Sequence, residues 1–296
     1  MSKKILITGI NGFIGSNAKK YFAESFEIFG LDIFGEAEKN FIQGEVDINN
    51  LEKFGVNFDY IFHFAGSGTV SSAQKSPELE YAKSVVSLKN LLDYCVKNNR
   101  KTKIIFSSSA AVYGDKYGYP IKENDELNPI SIYGKHKVEA EKLLQEYHEK
   151  YSIKSNIIRF FSIYGEGLRK QLLWDFSNRL KNNKSDTINC FGTGKEKRDF
   201  IHINDVLNFV ELLINSDIDF DVFNCAAGKE TCIDEILKML CNEYNIHPEF
   251  NYDNIERDGD PKYLCANINK AKEIGFSPKI NLLEGISQYA KWFKNC

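Results

Sequence analysis

The chain has 296 residues, enough for one large α/β unit or two coupled domains whose core needs no disulfide staples. Hydrophobic residues make up 43% and charged residues 27%, with 6 Pro and 20 Gly, which excludes a disordered or fibrous chain. A formal net charge of -3 leaves no positive excess to neutralise a phosphate backbone or an anionic bilayer, so neither nucleic acid nor a membrane surface is an expected partner.

Met1-Ser2-Lys3-Lys4 runs straight into Ile5-Leu6-Ile7, leaving no room for the apolar stretch of a signal peptide. No other apolar run approaches the roughly 20 residues that span a bilayer, and a cytoplasmic location is the expectation. The 7 Cys are scattered without a C-x-x-C pair or a His set at zinc spacing, so they read as reduced thiols, and no metal is expected.

In chain order, short runs rich in Ile, Val and Phe alternate with amphipathic segments, the pattern of parallel strands buried on both faces with helices between. Strands are expected at Lys4–Thr8, Glu27–Leu31, Tyr60–Phe64, Lys103–Ser107 and Asn156–Phe161, with helices from about Gly12, Pro77 and Pro129. The fold class is α/β with a doubly wound parallel sheet. Beyond Gly165 a helical Lys170–Asn183 precedes a strand near Thr187–Phe191, a Gly192-Thr193-Gly194 turn and a helix from about Asn204. Helical segments Thr231–Tyr244 and Leu282–Lys294 flank a loop carrying Arg257-Asp258-Gly259-Asp260-Pro261. Residues 1–165 are expected to form the doubly wound domain and 166–296 a smaller α+β lobe, the chain crossing back between them.

After the first strand, Gly9-Ile10-Asn11-Gly12-Phe13-Ile14-Gly15 opens a helix. Glycines allow a tight turn and close backbone approach, so a pyrophosphate can rest on free N–H groups at the positive helix end. Asp32 ends the second strand, where a carboxylate can accept from ribose hydroxyls and repels a 2'-phosphate, favouring NAD over NADP. Ser107-Ser108-Ser109 falls at the carboxyl end of the fourth strand, where open α/β sheets bind ligands. Tyr133 is the only Tyr with Lys four positions on, at Lys137, so on a helix the ammonium can approach the phenol. A free phenol, with a pKa near 10, is a poor base at neutral pH; a neighbouring cation and an oxidised nicotinamide both favour the phenolate. A serine beside it can bond the substrate oxygen and relay its proton. His136, His148 and His247 read as solvated helix or loop residues.

With these motifs in place the chain resembles an extended short-chain dehydrogenase/reductase of the NAD-dependent sugar-nucleotide epimerase/dehydratase family, similar to UDP-glucose 4-epimerases. The resemblance runs from Thr8 to the last helix. It implies a Rossmann domain, NAD as cofactor, a UDP-, GDP- or dTDP-linked sugar as substrate, and a homodimer through helices near Pro77–Asn98 and Pro129–Tyr151. For the cofactor it implies Gly9, Gly12, Phe13, Ile14, Gly15 and Asp32, then Asp47-Ile48 beside the adenine. Phe64-Ala65-Gly66 after His63, Ser107 and Phe160 join Tyr133 and Lys137 near the nicotinamide half. Ser109, Tyr133 and Lys137 fall on the catalytic positions, and Ser109, Ser162, Arg198, Arg257 and Asp260 on those that hold the nucleotide sugar. Guanidinium forks suit phosphate oxygens independently of any family.

The chain departs from the family at Ser162 and Ser84, where Asn is usual, and at Gly68, where some 4-epimerases have Lys. Ala110-Ala111 follows Ser109 where sugar 4,6-dehydratases have Asp-Glu, and an alanine pair cannot move a proton. The remaining chemistry is redox at a sugar carbinol: 4-epimerisation by transient oxidation at carbon 4, or alternatively a one-way 4-reductase or 4-dehydrogenase. A non-catalytic NAD-binding or RNA-binding relative on the same fold is the reading from another class.

Overall fold

A computed structural model of the chain describes residues 2–36, 38–66, 70–115, 118–182, 186–255 and 261–296. In chain order the elements are β1 (Lys4–Thr8), α1 (Phe13–Phe22), β2 (Glu27–Asp32), β3 (Phe41–Gln43), α2 (Ile48–Glu52), β4 (Tyr60–His63), α3 (Val70–Lys75), α4 (Pro77–Tyr81), a π-turn (Ala82–Val86), α5 (Ser87–Asn98) and β5 (Lys103–Ser109). A 3-10 turn (Ala110–Val112) is followed by α6 (Ile132–Tyr151), β6 (Lys154–Phe160), β7 (Ser162–Tyr164), α7 (Gln171–Asn182), β8 (Thr187–Cys190), β9 (Lys197–His202) and α8 (Ile203–Ile214). The rest is β10 (Phe220–Cys225), β11 (Glu230–Cys232), α9 (Ile233–Glu243), β12 (Glu249–Tyr252), β13 (Tyr263–Leu264), α10 (Asn269–Glu273) and α11 (Leu282–Lys294).

Seven strands form one sheet in the order β10-β6-β5-β4-β1-β2-β3. The five expected strands are present within a few residues of their expected ends, and two more join them. β3 is three residues long with partly exposed side chains at the sheet edge, too short to leave a periodicity. β10 is separated from the other strands of this sheet by the whole of 161–219, so its sequence position associates it with the second lobe.

The chain winds outward through β1, β2 and β3, then returns so that β4 pairs with the other side of β1. That reversal leaves a crevice at the carboxyl ends of β1 and β4, the switch point where open α/β sheets bind ligands. The last residue pair of that ladder is Thr8 with His63. The central strands are buried on both faces: Ile5, Leu6, Ile7, Ile61, Phe62, Ile104 and Ile105 are 0% exposed. Hence their near-continuous apolar runs.

Contacts divide the chain into two compact units, 1–114 with 126–159 and 210–223, and 115–125 with 160–209 and 224–296. The chain thus passes between the two units several times, with one of the changes at 159/160, near the boundary expected at 165. The return of 210–223 to the first unit has a polar cause as well as strand pairing. Lys103 Nζ donates to the Leu213 (2.5 Å) and Ser216 (3.0 Å) carbonyls, and Tyr60 Oη to Ile214 O (3.2 Å), satisfying the carbonyls that end α8. In the second unit β9 is flanked by β11 and β13 and also pairs with β7, while β8 and β12 form a separate ribbon.

Three buried side chains tie α6 to the sheet. Arg159 of β6 clasps Glu141 of α6, with Nε to Oε1 at 3.0 Å and Nη2 to Oε2 at 2.6 Å, and its Nη1 donates to Tyr113 Oη at 2.8 Å. The Ser108 hydroxyl of β5 donates to the same carboxylate. The pair holds Arg159 above the usual guanidinium range. At the other end of α6, His148 is not the solvated residue expected: its Nδ1 lies 2.9 Å from Ile153 O and its ring stacks on Phe220 at 4.7 Å. At the N-terminus Ser131 caps α6 by accepting from Gly134 N–H at 3.0 Å. A Cβ on Gly134 would lie 2.5 Å from Ala111 O, so glycine there lets the helix lie directly against the turn after β5.

Two stability measurements follow. Arg159→Met leaves Glu141 buried and unpaired and is expected to cost about 3–5 kcal/mol in urea unfolding, much of it regained when Glu141→Leu is added. Gly134→Ala should gain about 1 kcal/mol from helix propensity alone, yet net destabilisation is expected because backbone must move; an unchanged or raised Cm would contradict the packing described.

Candidate active site

The glycine turn between β1 and α1 separates what the fold demands from what a ligand would use. Gly9 has φ +70°, and a Cβ there would stand 2.8 Å from Ala65 N; on Gly15 it would stand 2.1 Å from Gly9 O. Both are glycine because backbone passes over them. Around Gly12 the nearest atom to such a Cβ is Gly9 O at 3.2 Å, so this glycine keeps an outward surface low. Gly12 is the N-cap of α1 and supplies no side-chain cap. The first-turn N–H groups, of Phe13, Ile14 and Gly15, have no acceptor within the helix, and the positive helix end suits an anion.

Asp32, at the end of β2, is turned back onto this loop. Its Oδ2 accepts from Asn11 N–H at 2.9 Å and its Oδ1 from Phe34 N–H at 3.3 Å. Two backbone donors fix the carboxylate, and its remaining lone pairs are open to ribose hydroxyls. Asp47 accepts from Asn50 N–H at 2.8 Å and thereby caps α2, presenting Ile48 at its first turn, 36% exposed. Phe64, Ala65 and Gly66 leave the end of β4 beside the glycine turn: Phe64 N–H donates to Thr8 O (3.2 Å) and Ala65 N–H to Thr8 Oγ1 (3.3 Å). These residues fit a dinucleotide: a cradle without side chains, a helix N-terminus and a fixed carboxylate lie around one switch point.

Next to it β5 runs beyond its last pairing with β4, at Phe106, and carries Ser107 and Ser109 to the same edge. Ser107 Oγ donates to His63 O at 3.1 Å, and the Ser107 carbonyl accepts from Lys137 Nζ at 2.7 Å. Lys137 is 2% exposed, and its Nζ stands 5.8 Å from the Tyr133 ring centroid and 4.9 Å from that of Phe106. Ser109 hydrogen-bonds the Tyr133 side chain and accepts from Ala111 N–H at 3.2 Å. Thus the structure brings Ser109, Tyr133 and Lys137 together, and the residue four further on, Glu141, lies on the same helix stripe.

Burial dominates the charge states here. It pushes the Tyr133 phenol up to about 12, against the pull of Ser109 and with a smaller push from Glu80. It brings the Lys137 ammonium down to about 8, against the upward pull of Glu80 and Glu141. At neutral pH the ligand-free pair is therefore phenol and ammonium. Beneath them His63 is held neutral, pulled down to about 3 by burial and by Lys137, with its Nδ1 2.8 Å from Thr8 Oγ1.

In the second unit Ser162 begins β7 and pairs with Phe200 of β9, two residues from Arg198 along that strand. Arg198 Nη1 donates to Lys197 O at 3.0 Å. Phe160, 6% exposed, is the last residue of β6 and opens the 160–209 segment of that unit. Arg257, Asp260 and Gly68 lie outside the described residues. His136 overturns its reading as a solvated residue: its side chain is 15% exposed and meets the buried carboxylate of Glu80. Glu80 and Glu141 were passed over in the sequence. Their signal was helical spacing, Glu141 four residues beyond Lys137 and Glu80 four before Ser84, but a Glu on a helix is solvated far more often than buried.

Among solved structures the chain is similar over 99% of each partner to three enzymes. They are UDP-N-acetylglucosamine 4-epimerase from Methanobrevibacter ruminantium in complex with UDP-N-acetylmuramic acid (27% identity, TM-score 0.89), UDP-glucose 4-epimerase from Thermotoga maritima with UDP-glucose (26%, 0.88), and UDP-glucuronic acid 4-epimerase from Bacillus cereus with UDP-glucuronic acid and NAD (25%, 0.89). The family model described as the NAD dependent epimerase/dehydratase family matches residues 5–226, three quarters of the chain and every element that builds the glycine turn and the Ser-Tyr-Lys cluster. The chain belongs to the NAD-dependent epimerase/dehydratase family.

Proposed function

We propose that the protein is a UDP-sugar 4-epimerase that binds NAD at the glycine turn and inverts carbon 4 through a transient ketone. The observation that carries this reading is the cluster on α6 and β5. Tyr133 is hydrogen-bonded to Ser109, and Lys137, anchored on the Ser107 carbonyl, sits beside the phenol ring. The chemistry that the dinucleotide supplies when bound is hydride uptake and return.

The chain's own residues do the proton work. Tyr133 takes the proton of the carbon-4 hydroxyl and gives it back on the way out; Ser109 bonds the same oxygen and shortens the path between the two. The Lys137 ammonium stabilises the phenolate charge that forms, at close range and away from water. Gly9, Gly12, Phe13, Ile14 and Gly15 receive the pyrophosphate, and Asp32 the adenosine ribose, which disfavours a 2'-phosphate. Arg198, with Ser162 on the neighbouring strand and with Arg257 and Asp260, is assigned to the nucleotide sugar. Elimination of water is disfavoured because Ala110 and Ala111 next to Ser109 carry no acid or base. UDP is common to the ligands of all three similar enzymes, whereas the sugar varies among them.

The test is incubation of the purified protein with UDP-sugars and GDP-sugars without added cofactor. Epimer formation with no net change at the NADH absorbance band is expected; turnover that requires stoichiometric NAD(H) would replace this reading with a one-way oxidoreductase. Tyr133→Phe should lower turnover by about 10²–10⁴-fold while NAD binding persists. Activity of the parent enzyme should fall above about pH 8 as Lys137 gives up its proton; a plateau extending to pH 10 would show that the Lys137 charge does not support the phenolate.

A further inference from the structure

Glu80 is a buried carboxylate that the proposed chemistry leaves without a task. It sits in α4 and is 2% exposed. The π-turn at Ala82–Val86 follows directly, and such wide turns, rare in proteins, recur at functional sites. Here it brings Ser84, 1% exposed, over Glu80, and the Ser84 hydroxyl donates to the carboxylate. From α6, His136 Nδ1 meets the other Glu80 oxygen, and the Tyr81 ring packs edge-on against the imidazole at 5.2 Å. His136 lies between Tyr133 and Lys137 in the chain, so the anchor of Glu80 is on the helical turn that carries the proton-transfer pair.

The charges around Lys137 single out this carboxylate. Two buried carboxylates act on Lys137, Glu80 and Glu141. Glu141 is already matched by the Arg159 fork. Among the described residues the ion-pair partner of Glu80 is His136, which is cationic only when protonated. A buried ammonium without a counter-charge gives up its proton. Ser84, which bonds Glu80, and Lys137 border the same point: a Cβ on Gly66 would stand 3.8 Å from Ser84 Oγ and 4.0 Å from Lys137 Nζ. The other ionisable groups around Lys137 do not substitute for Glu80. His63 of β4 is neutral, Arg159 of β6 is spent on Glu141, Tyr133 is its partner, Lys75 of α3 is exposed and Lys83 of the π-turn is half-buried. Glu139 of α6 is exposed and takes the Tyr81 hydroxyl.

We propose that Glu80, fixed by Ser84 and His136, is a positioning residue that supplies the counter-charge of the Lys137 ammonium and so sets the pH window in which Tyr133 and Lys137 work. The inference rests on the assignment of that pair as the proton-transfer groups. Because a negative charge favours the protonated form of both partners, removing it moves both ionisations the same way, toward acid.

Glu80→Gln keeps the shape and the bond to Ser84 while deleting the charge. Both limbs of the pH profile of kcat/KM are expected to move to lower pH by about one unit, and Glu80→Asp, which retains the charge, should move them back. An activity-free reading comes from the alkaline tyrosinate difference spectrum of the ligand-free protein with a Tyr133→Phe background subtracted. The Tyr133 titration should shift down equally. A shifted titration in a protein that epimerises no nucleotide sugar would sustain the role of Glu80 and sink the proposed function instead. Limbs and titration that coincide with the parent's, however slow the variant, overturn the proposal. Should Glu80→Gln fail to fold, Glu80→Gln/His136→Gln carries the same readings, since its two amides can still bond each other.

Discussion

A single buried cation sits at the centre of the polar contacts among α4, α6 and β5. Lys137 is kept away from water on the inner face of α6, and burial costs a charged ammonium several kcal/mol unless partners offset it. The Ser107 carbonyl accepts a hydrogen bond from its Nζ at 2.7 Å, one residue beyond the last pairing of β5 with β4. The electrostatic offset comes from carboxylates on two helices, Glu80 on α4 and Glu141 on α6. Each carboxylate then needs its own donors, and Ser84, His136, Ser108 and Arg159 supply them. A π-turn and two polar networks thus surround one ammonium that sits beside one phenol.

The parallel sheet meets a different constraint at the same edge. Because the winding reverses between β1 and β4, backbone from both strands converges there, and side chains have no room. Gly9 and Gly15 answer that crowding, while Gly12 leaves space for a ligand. One Gly-rich run therefore meets a packing demand at two positions and leaves a third less crowded. The Thr8 hydroxyl links the ends of β1 and β4 through His63 and Ala65.

The ligand-free charge state has a consequence for how such a site works. With the phenol near 12 and the ammonium near 8, the protein alone holds both groups protonated at neutral pH. Under the proposed function Tyr133 is a base held in its acid form, and further positive charge beside it would favour the phenolate. Under the proposed function a bound cationic ring would supply that charge, so that Tyr133 would be readied by occupancy of the glycine turn.

Much of this was legible in the sequence because it is local. Short apolar runs give the five central strands, a Gly-rich run after the first of them gives the cradle, and a Tyr and a Lys four apart share a helix face whatever that helix packs against. Family resemblance gave Ser109 by its place in a string. What the sequence by itself did not determine is long-range. β10 returns to the sheet after more than fifty intervening residues, and the units interleave accordingly. Glu80 meets His136 across a separation of 56 residues, and Arg159 meets Tyr113 across 46. An isolated Glu or Arg reads as surface charge, since most are; whether it is buried depends on which distant partner the folded chain brings to it. Local pattern fixes which residues can do chemistry, and tertiary packing decides the charges that surround them.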